Sequence, residues 1–354
     1  PGRRMKYFAL ILLVYALSAH AGNVLPPNWP WRGITIVSND GDNDPIEIEK
    51  LSKLHVNAVA LSLNIRNTAQ FENMTPEEAW NTNILWADRM LDACRRYGIT
   101  GIITLFQVPY DPSKVYTEIS PAFWDNPSNR GEAVRIAGKL AQHFRSRGAE
   151  LGAYEILSEP VVYRGKKVES PESWPGLRVE IIREIRKYDS GRYVIVTPGF
   201  GGEPSSYKDF EPLSFPRIIY GVHFYDPHAF SHQGLPGFRR GMAYPEDFNR
   251  QWLINVLRPV TDFRKKYHQL VYIGEFSAIR WAPGANQYIS DLIDLFDENG
   301  FSWMYFCYNS FQGWNPFYDE TYTPLDEKPP AKSRVGFGSK RWSVLKKAYG
   351  KNRD

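Results

Sequence analysis

Apolar and polar positions along the 354-residue chain alternate between two rhythms. The first is a set of short, β-branched, apolar runs at 32–38 (RGITIVS), 56–63 (VNAVALSL), 99–106 (ITGIITLF), 151–157 (LGAYEIL), 193–198 (YVIVTP), 217–223 (RIIYGVH), 270–276 (LVYIGEF) and 301–307 (FSWMYFC). Strands covered on both faces read this way. The second rhythm repeats at three- and four-residue steps. Ala133, Ile136, Ala137, Leu140, Ala141 and Phe144 carry it through 131–147, and Gly148 closes the run. The same step predicts helices at 174–188, 252–267 and 285–299, and shorter patterns predict them at 45–54, 81–97 and 339–349. After the fifth strand no helical period is clear. Residues 315–338 are polar and proline-rich and read as a surface loop.

Eight strand–helix units predict an α/β fold, a closed (β/α)8 TIM barrel, as a single domain over residues 24–350. The competing architecture, an open doubly wound sheet, would carry a phosphate-binding loop. The glycine-rich stretch GFGGEP (199–204) follows a strand but opens no helix, so it is a poor nucleotide fingerprint.

Composition narrows the class. The chain is 43% hydrophobic and 15% aromatic, with 11 tryptophans and 21 tyrosines, enough for a large core and for an aromatic-lined cleft. Residues 1–21 read as a leader and signal peptide. Arg3, Arg4 and Lys6 precede an 11-residue apolar run, Tyr7 to Leu17, and Ala19-His20-Ala21 has the small-x-small form of a cleavage site. The run is too short to span a bilayer as a helix. Secretion or a periplasmic location is expected, with no stable membrane association once the leader is gone. Removing these residues takes the 43 basic side chains to 40, against 39 acidic ones. No basic patch argues for nucleic acid. Cys94 and Cys307 are expected to be two buried thiols in a chain too large to need a disulfide.

Function in a barrel sits at the C-terminal ends of the strands. The polar residues predicted there are Gln107 after strand three, Ser158 and Glu159 after strand four, His223, Tyr225 and Asp226 after strand six, and Glu275 on strand seven. Trp303 on strand eight and Trp314 beyond it are candidate sugar platforms. His228 and His232 follow strand six, and a substrate-contacting loop explains them better than a metal site does. No cofactor is called for. Two glutamates on strands four and seven face one another across a barrel mouth. Glycoside hydrolysis needs such a pair, one carboxylic acid for the leaving oxygen and one carboxylate for the anomeric carbon.

Three segments resemble glycoside hydrolase family 5, the cellulase and mannanase family of retaining barrels: YEILSEP (154–160), VHFYDPHAFSHQG (222–234) and YIGEFSAIRWAPGANQYISDLIDLFDENGFSWMYF (272–306). The resemblance runs from Trp31 to Trp342. It implies that Glu159 is the acid/base and Glu275 the nucleophile, and that His223 and Tyr225 line the −1 subsite, with Tyr225 bonded to the nucleophile. It also exposes departures. Ala60 stands where the family usually has Arg, Phe106 where it has His, and Ser158 where it has Asn; Phe306 follows the tyrosine of strand eight. Gln107 or Arg66 are candidates to compensate. The expected function is a retaining glycosidase acting on β-linked glucan or a related oligo- or polysaccharide. The alternative is a catalytically impaired barrel that binds carbohydrate without turnover.

Overall fold

The eight apolar runs become eight parallel strands: β1 Arg32–Val37, β2 Ala58–Leu63, β3 Thr100–Leu105, β4 Leu151–Ile156, β5 Tyr193–Val196, β6 Ile218–Phe224, β7 Leu270–Phe276 and β8 Ser302–Tyr305. Each pairs with its neighbour in sequence, and β8 closes on β1 through Arg32 opposite Trp303, completing a barrel. The computed structural model describes residues 24–38, 44–105, 121–165, 167–324 and 326–353. The expected leader therefore lies outside the described residues, as does Gln107. No helix among the described residues is long and apolar enough to cross a membrane.

Strand alternation divides the apolar residues into two sets. Inward-facing Ala60, Ile102, Ala153, Ile195 and Ile219 pack inside the barrel above Trp31, whose indole N–H is tied to the Pro27 carbonyl at 2.7 Å. Outward-facing residues such as Ile36, Leu61 and Ile103 pack beneath the helices. Toward the C-terminal end the interior turns polar, with Thr104, Glu155, Thr197 and His223, all buried. This polar layer is the floor on which a site can stand.

The major helices fall where the periodicity places them, at Ile46–Lys53, Pro76–Tyr97, Pro127–Phe144, Trp174–Tyr188, Arg250–Tyr267, Ala285–Glu298 and Lys340–Tyr349. The second begins five residues before its apolar period because Thr75 and Glu78 form a reciprocal capping box ahead of it. After β5 the chain makes two short 3-10 turns, Phe200–Gly202 and Pro204–Tyr207, in place of a helix. A hairpin, Val162–Arg164 with Lys167–Glu169, follows β4; three-residue strands are too short to leave a periodic signal.

One expected sugar platform is displaced by this packing. Trp303 sits on the outer face of β8, fully buried. Its ring stacks on Tyr349 of the last helix at 5.5 Å and 24° and meets the edge of Phe276, and its indole N–H reaches Asp297 at 3.2 Å. Strand alternation, which sends its neighbour Met304 into the barrel, turns Trp303 away from the cleft. Cys94 and Cys307 are both buried and form no disulfide.

Candidate active site

β4 ends in a backbone feature that aims a side chain. Leu157 adopts the left-handed conformation (φ 56°), uncommon for a bulky residue, just past the last strand residue. The turn swings Glu159 out of the strand direction and over the barrel mouth. Such strained positions cluster at functional sites, where the surrounding packing over-determines them; Leu157 is itself buried.

β7 delivers its carboxylate by a different device. Val222 of β6 pairs with Ile273, and the next residue, His223, pairs with Glu275. On the other side Trp303 pairs with Ile273 and Tyr305 with Phe276. Gly274 is passed over in the β6 register, and the β8 register shifts at the same place. A bulge of this kind inverts the side-chain alternation beyond it. Tyr272 faces the barrel interior, yet Phe276 packs outward on Phe296 at 5.1 Å. Regular alternation from Tyr272 would have sent Glu275 outward; the bulge turns it into the mouth.

The two carboxylates meet His223 and Tyr225 of the β6 segment. His223 Nδ1 lies 2.7 Å from Glu159 Oε1 and 3.8 Å from Glu275 Oε2. The Tyr225 hydroxyl donates to Glu275 Oε2 at 2.8 Å. One carboxylate oxygen of each glutamate and a ring nitrogen of His223 all lie within 4.8 Å of one another. Glu159 is the more open of the acids, with 26% of its side chain exposed against 15% for Glu275.

Burial pushes Glu275 up to about 7, and the charges of Glu159 and Glu155 push the same way; His223 and the Tyr225 hydroxyl oppose them. Burial and the charge of Glu275 drive Tyr225 well above the ordinary phenol range, so it stays a donor. A cluster of close carboxyls cannot all be ionised in a poorly hydrated site, so it keeps a proton near neutral pH.

These groups open into a cleft of about 610 Å3. Trp314 lines one wall, stacked on Tyr225 at 5.2 Å with its indole N–H on the Ser231 carbonyl at 3.2 Å. His228 lines it too, at the start of the short helix His228–Ser231 and stacked at 5.1 Å on His232, which caps that helix. Burial, with His228 adding to it, lowers His232 to about 4. Phe306 also borders the cleft, edge-on to Trp314.

Ser158 corrects a second expectation. It is 2% exposed, does not line the cleft, and its hydroxyl is buried with no hydrogen-bond partner among the described residues. A side chain this short, buried off the cleft lining, does not extend to a sugar hydroxyl.

The cleft also contains residues that strand-end reasoning passed over. Phe200, Gly201 and Gly202 run left-handed in succession (φ 47°, 64° and 77°), and the Gly201 N–H is tied to the carbonyl of Pro160, next to Glu159. The turn presents Phe200 and Glu203 to the cleft. Burial, reinforced by Asp226 and Glu159, pushes Glu203 up to about 7. The hairpin that follows the neighbouring strand contributes Tyr163 and Val168, both exposed. The glycine run of GFGGEP was a visible signal; its meaning was a tight turn at the cleft.

Comparison with known proteins identifies the family. Endoglucanase C of Acetivibrio thermocellus is 25% identical over 261 residues, covering 62% of this chain and 72% of that protein. Endoglucanase C307 of a Clostridium species matches to the same extent. Among solved structures, the endoglucanase Cel5A of the hyperthermophile Thermotoga maritima superposes with a TM-score of 0.67 at 18% identity, over 90% of this chain and 98% of that one. The sequence model of the family described as cellulase, glycosyl hydrolase family 5, matches residues 39–312. Both glutamates of the mouth fall inside that span, and a match over most of the chain places it in glycosyl hydrolase family 5 as a glycosyl hydrolase.

Proposed function

We propose that this barrel, a single catalytic domain over residues 24–350, hydrolyses β-linked glucan or a related β-linked oligosaccharide with retention of anomeric configuration. The observation that carries the reading is the closeness of the pair: an oxygen of Glu159 and one of Glu275 lie within 4.8 Å. Retaining glycosidases hold their carboxyls roughly 5–5.5 Å apart, whereas inverting ones leave about 6.5–9.5 Å for a water. The endoglucanases among its relatives support the β-glucan class. The leader-like residues 1–21 support a secreted or periplasmic enzyme.

In the first step a Glu275 oxygen bonds to the anomeric carbon as the glycosidic C–O bond breaks. Glu159 transfers its proton to the departing oxygen. In the second, Glu159 takes a proton from water, whose oxygen attacks the anomeric carbon and breaks the bond to Glu275. Tyr225 favours the ionised form of Glu275 by donating its hydroxyl to Oε2. Trp314, His228 and Phe200 form the surfaces against which sugar rings lie. The intact pair, with its tyrosine donor, speaks for turnover over binding alone. Proton NMR of an aryl β-cellobioside digest tests the reading: the β-anomer of the released sugar accumulates first. Initial accumulation of the α-anomer, or no release at all, would overturn it.

Tyr225→Phe separates the nucleophile's environment from its identity. The carboxylate must be ionised to attack, so activity falls as pH drops through its pKa. Losing a donor to the ionised form raises that pKa further above its present value of about 7. The acid limb of kcat/KM therefore moves to higher pH, with a loss of about tenfold or more below pH 7, the size of a hydrogen bond to a charged group. An unmoved acid limb would mean that Tyr225 does not act on Glu275.

A further inference from the structure

Beneath the pair lies a third carboxylic acid that the steps above do not use. Glu155 points into the barrel from β4 and is 3% exposed. Its Oε2 accepts a hydrogen bond from the Thr104 hydroxyl at 3.1 Å. Its Oε1 is buried with no hydrogen-bond partner among the described residues. Near it, His223 is 2% exposed; Nδ1 is on Glu159, and Nε2 is also buried, with no partner among the described residues. Buried polar atoms in native proteins are rarely left so, and here two of them face the same point. A Cβ added to Gly274 would lie 3.1 Å from His223 Nε2 and 3.4 Å from Glu155 Oε1, and one added to Gly221 would lie 3.5 Å from that same Oε1. Gly274, the bulge residue that turns Glu275 inward, keeps the space beside both atoms open, and Gly221 keeps it open beside Oε1. A small rotation of either side chain, or one bridging water, joins them.

The titratable groups facing this pair are Glu159, Glu275, Tyr207, Tyr225 and Tyr272. Among the described residues no lysine or arginine forms an ion pair with Glu155, Glu159 or Glu275, and His223 is the basic group paired with the last two. We propose that Glu155 is a positioning residue: as a carboxylate it holds a proton on His223 Nε2, keeping the imidazole cationic with its Nδ1–H directed at Glu159. The proposal rests on the retaining reading and adds a component to it. During the first step negative charge leaves Glu275 and appears on Glu159. An imidazolium 2.7 Å from one acid and 3.8 Å from the other is a counter-ion before and after that transfer, and Glu155 anchors it from below. The electrostatics agree. Burial alone would lower His223, but Glu275, the hydrogen bond and charge of Glu159, and Glu155 outweigh it and push it up to about 9. Burial, and to a smaller extent the charge of Glu159, raise Glu155 above the usual carboxylate range, while the charge of His223 and the Thr104 hydroxyl oppose them.

The test is a ¹⁵N NMR titration of histidine-labelled full-length protein, with the His223 signal assigned from its loss in His223→Gln. In the wild type His223 remains doubly protonated through pH 7. In Glu155→Gln, which keeps the size and the Thr104 hydrogen bond, its apparent pKa drops by at least about one pH unit, the effect of removing an adjacent opposite charge. The alkaline limb of kcat moves down with it while KM changes little; a merely structural loss would leave the limb in place. A neutral His223 in the wild type at pH 7 overturns the proposal, as does an unchanged His223 titration in a folded Glu155→Gln protein. If the variant does not fold, the wild-type titration decides. Failure of the retaining reading shows separately, as missing hydrolysis or an inverted product, because the titration needs no substrate.

Discussion

Glu275→Gln lowers kcat on a β-glucan by on the order of 10⁴- to 10⁶-fold, the range seen when a covalent nucleophile is removed, while the protein stays folded. The amide fills the same volume and still accepts the Tyr225 hydroxyl, which now donates at 2.8 Å to Oε2, but it cannot attack an anomeric carbon. Incubating the unmodified enzyme with an activated 2-fluoro β-cellobioside gives the complementary result. The fluorine slows both steps, the good leaving group restores the first, and the glycosyl–enzyme accumulates. Intact-mass and peptide analysis then place one added disaccharide on Glu275. An adduct on another residue, or a Glu275→Gln protein with near-normal turnover, would remove this side chain from the nucleophile's role.

Glu159→Ala separates substrates by their leaving groups. A glucan's sugar alkoxide needs a proton to depart, so kcat/KM on the polymer falls by about 10²- to 10⁴-fold, the usual contribution of general acid catalysis. An aryl glycoside with an acidic phenol leaves unaided, and its kcat/KM changes little. Its kcat falls, because the same residue is the base for deglycosylation and the intermediate persists. Azide needs no base and fits the volume of the lost side chain, so it restores kcat and yields the β-glycosyl azide. Equal losses on both substrates without azide rescue would mean that Glu159 does not move the proton. The geometry already favours the division of labour: Glu159 is the more exposed carboxyl, open to a leaving group and then to water, and Glu275 is the one held by a tyrosine.

Much of this molecule was legible as a linear pattern. Seven long helices and eight strands lie within a few residues of their periodic signals, because burying a face is a repeated local requirement that each element records in its own residues. The four polar residues Glu159, His223, Tyr225 and Glu275 could be picked as neighbours for a related reason: in a parallel barrel every strand's C-terminal end opens on the same rim. Trp314 and His228 line the cleft from the loops beyond those ends. The hairpin after β4 and the left-handed turn at Phe200–Gly202 were not legible as cleft walls, since neither carries a period.

By itself, then, the sequence determined the closed barrel, the apolar runs covered on both faces, and the strand ends on which the acids stand. Only the tertiary structure decided which way individual side chains turn. Trp303 and Trp314 look alike as sugar platforms in the chain; alternation along β8 buries the first behind the sheet, and a loop returns the second to the cleft. Ser158 and Glu159 are adjacent, yet after the left-handed Leu157 one is buried off the cleft and the other lines it. Glu275 faces the mouth because β7 slips past Gly274 against β6, and the same glycine leaves open space beside both Glu155 Oε1 and His223 Nε2. Register and bulges are set by pairing between strands distant in sequence, so no single segment contains the information that orients these side chains.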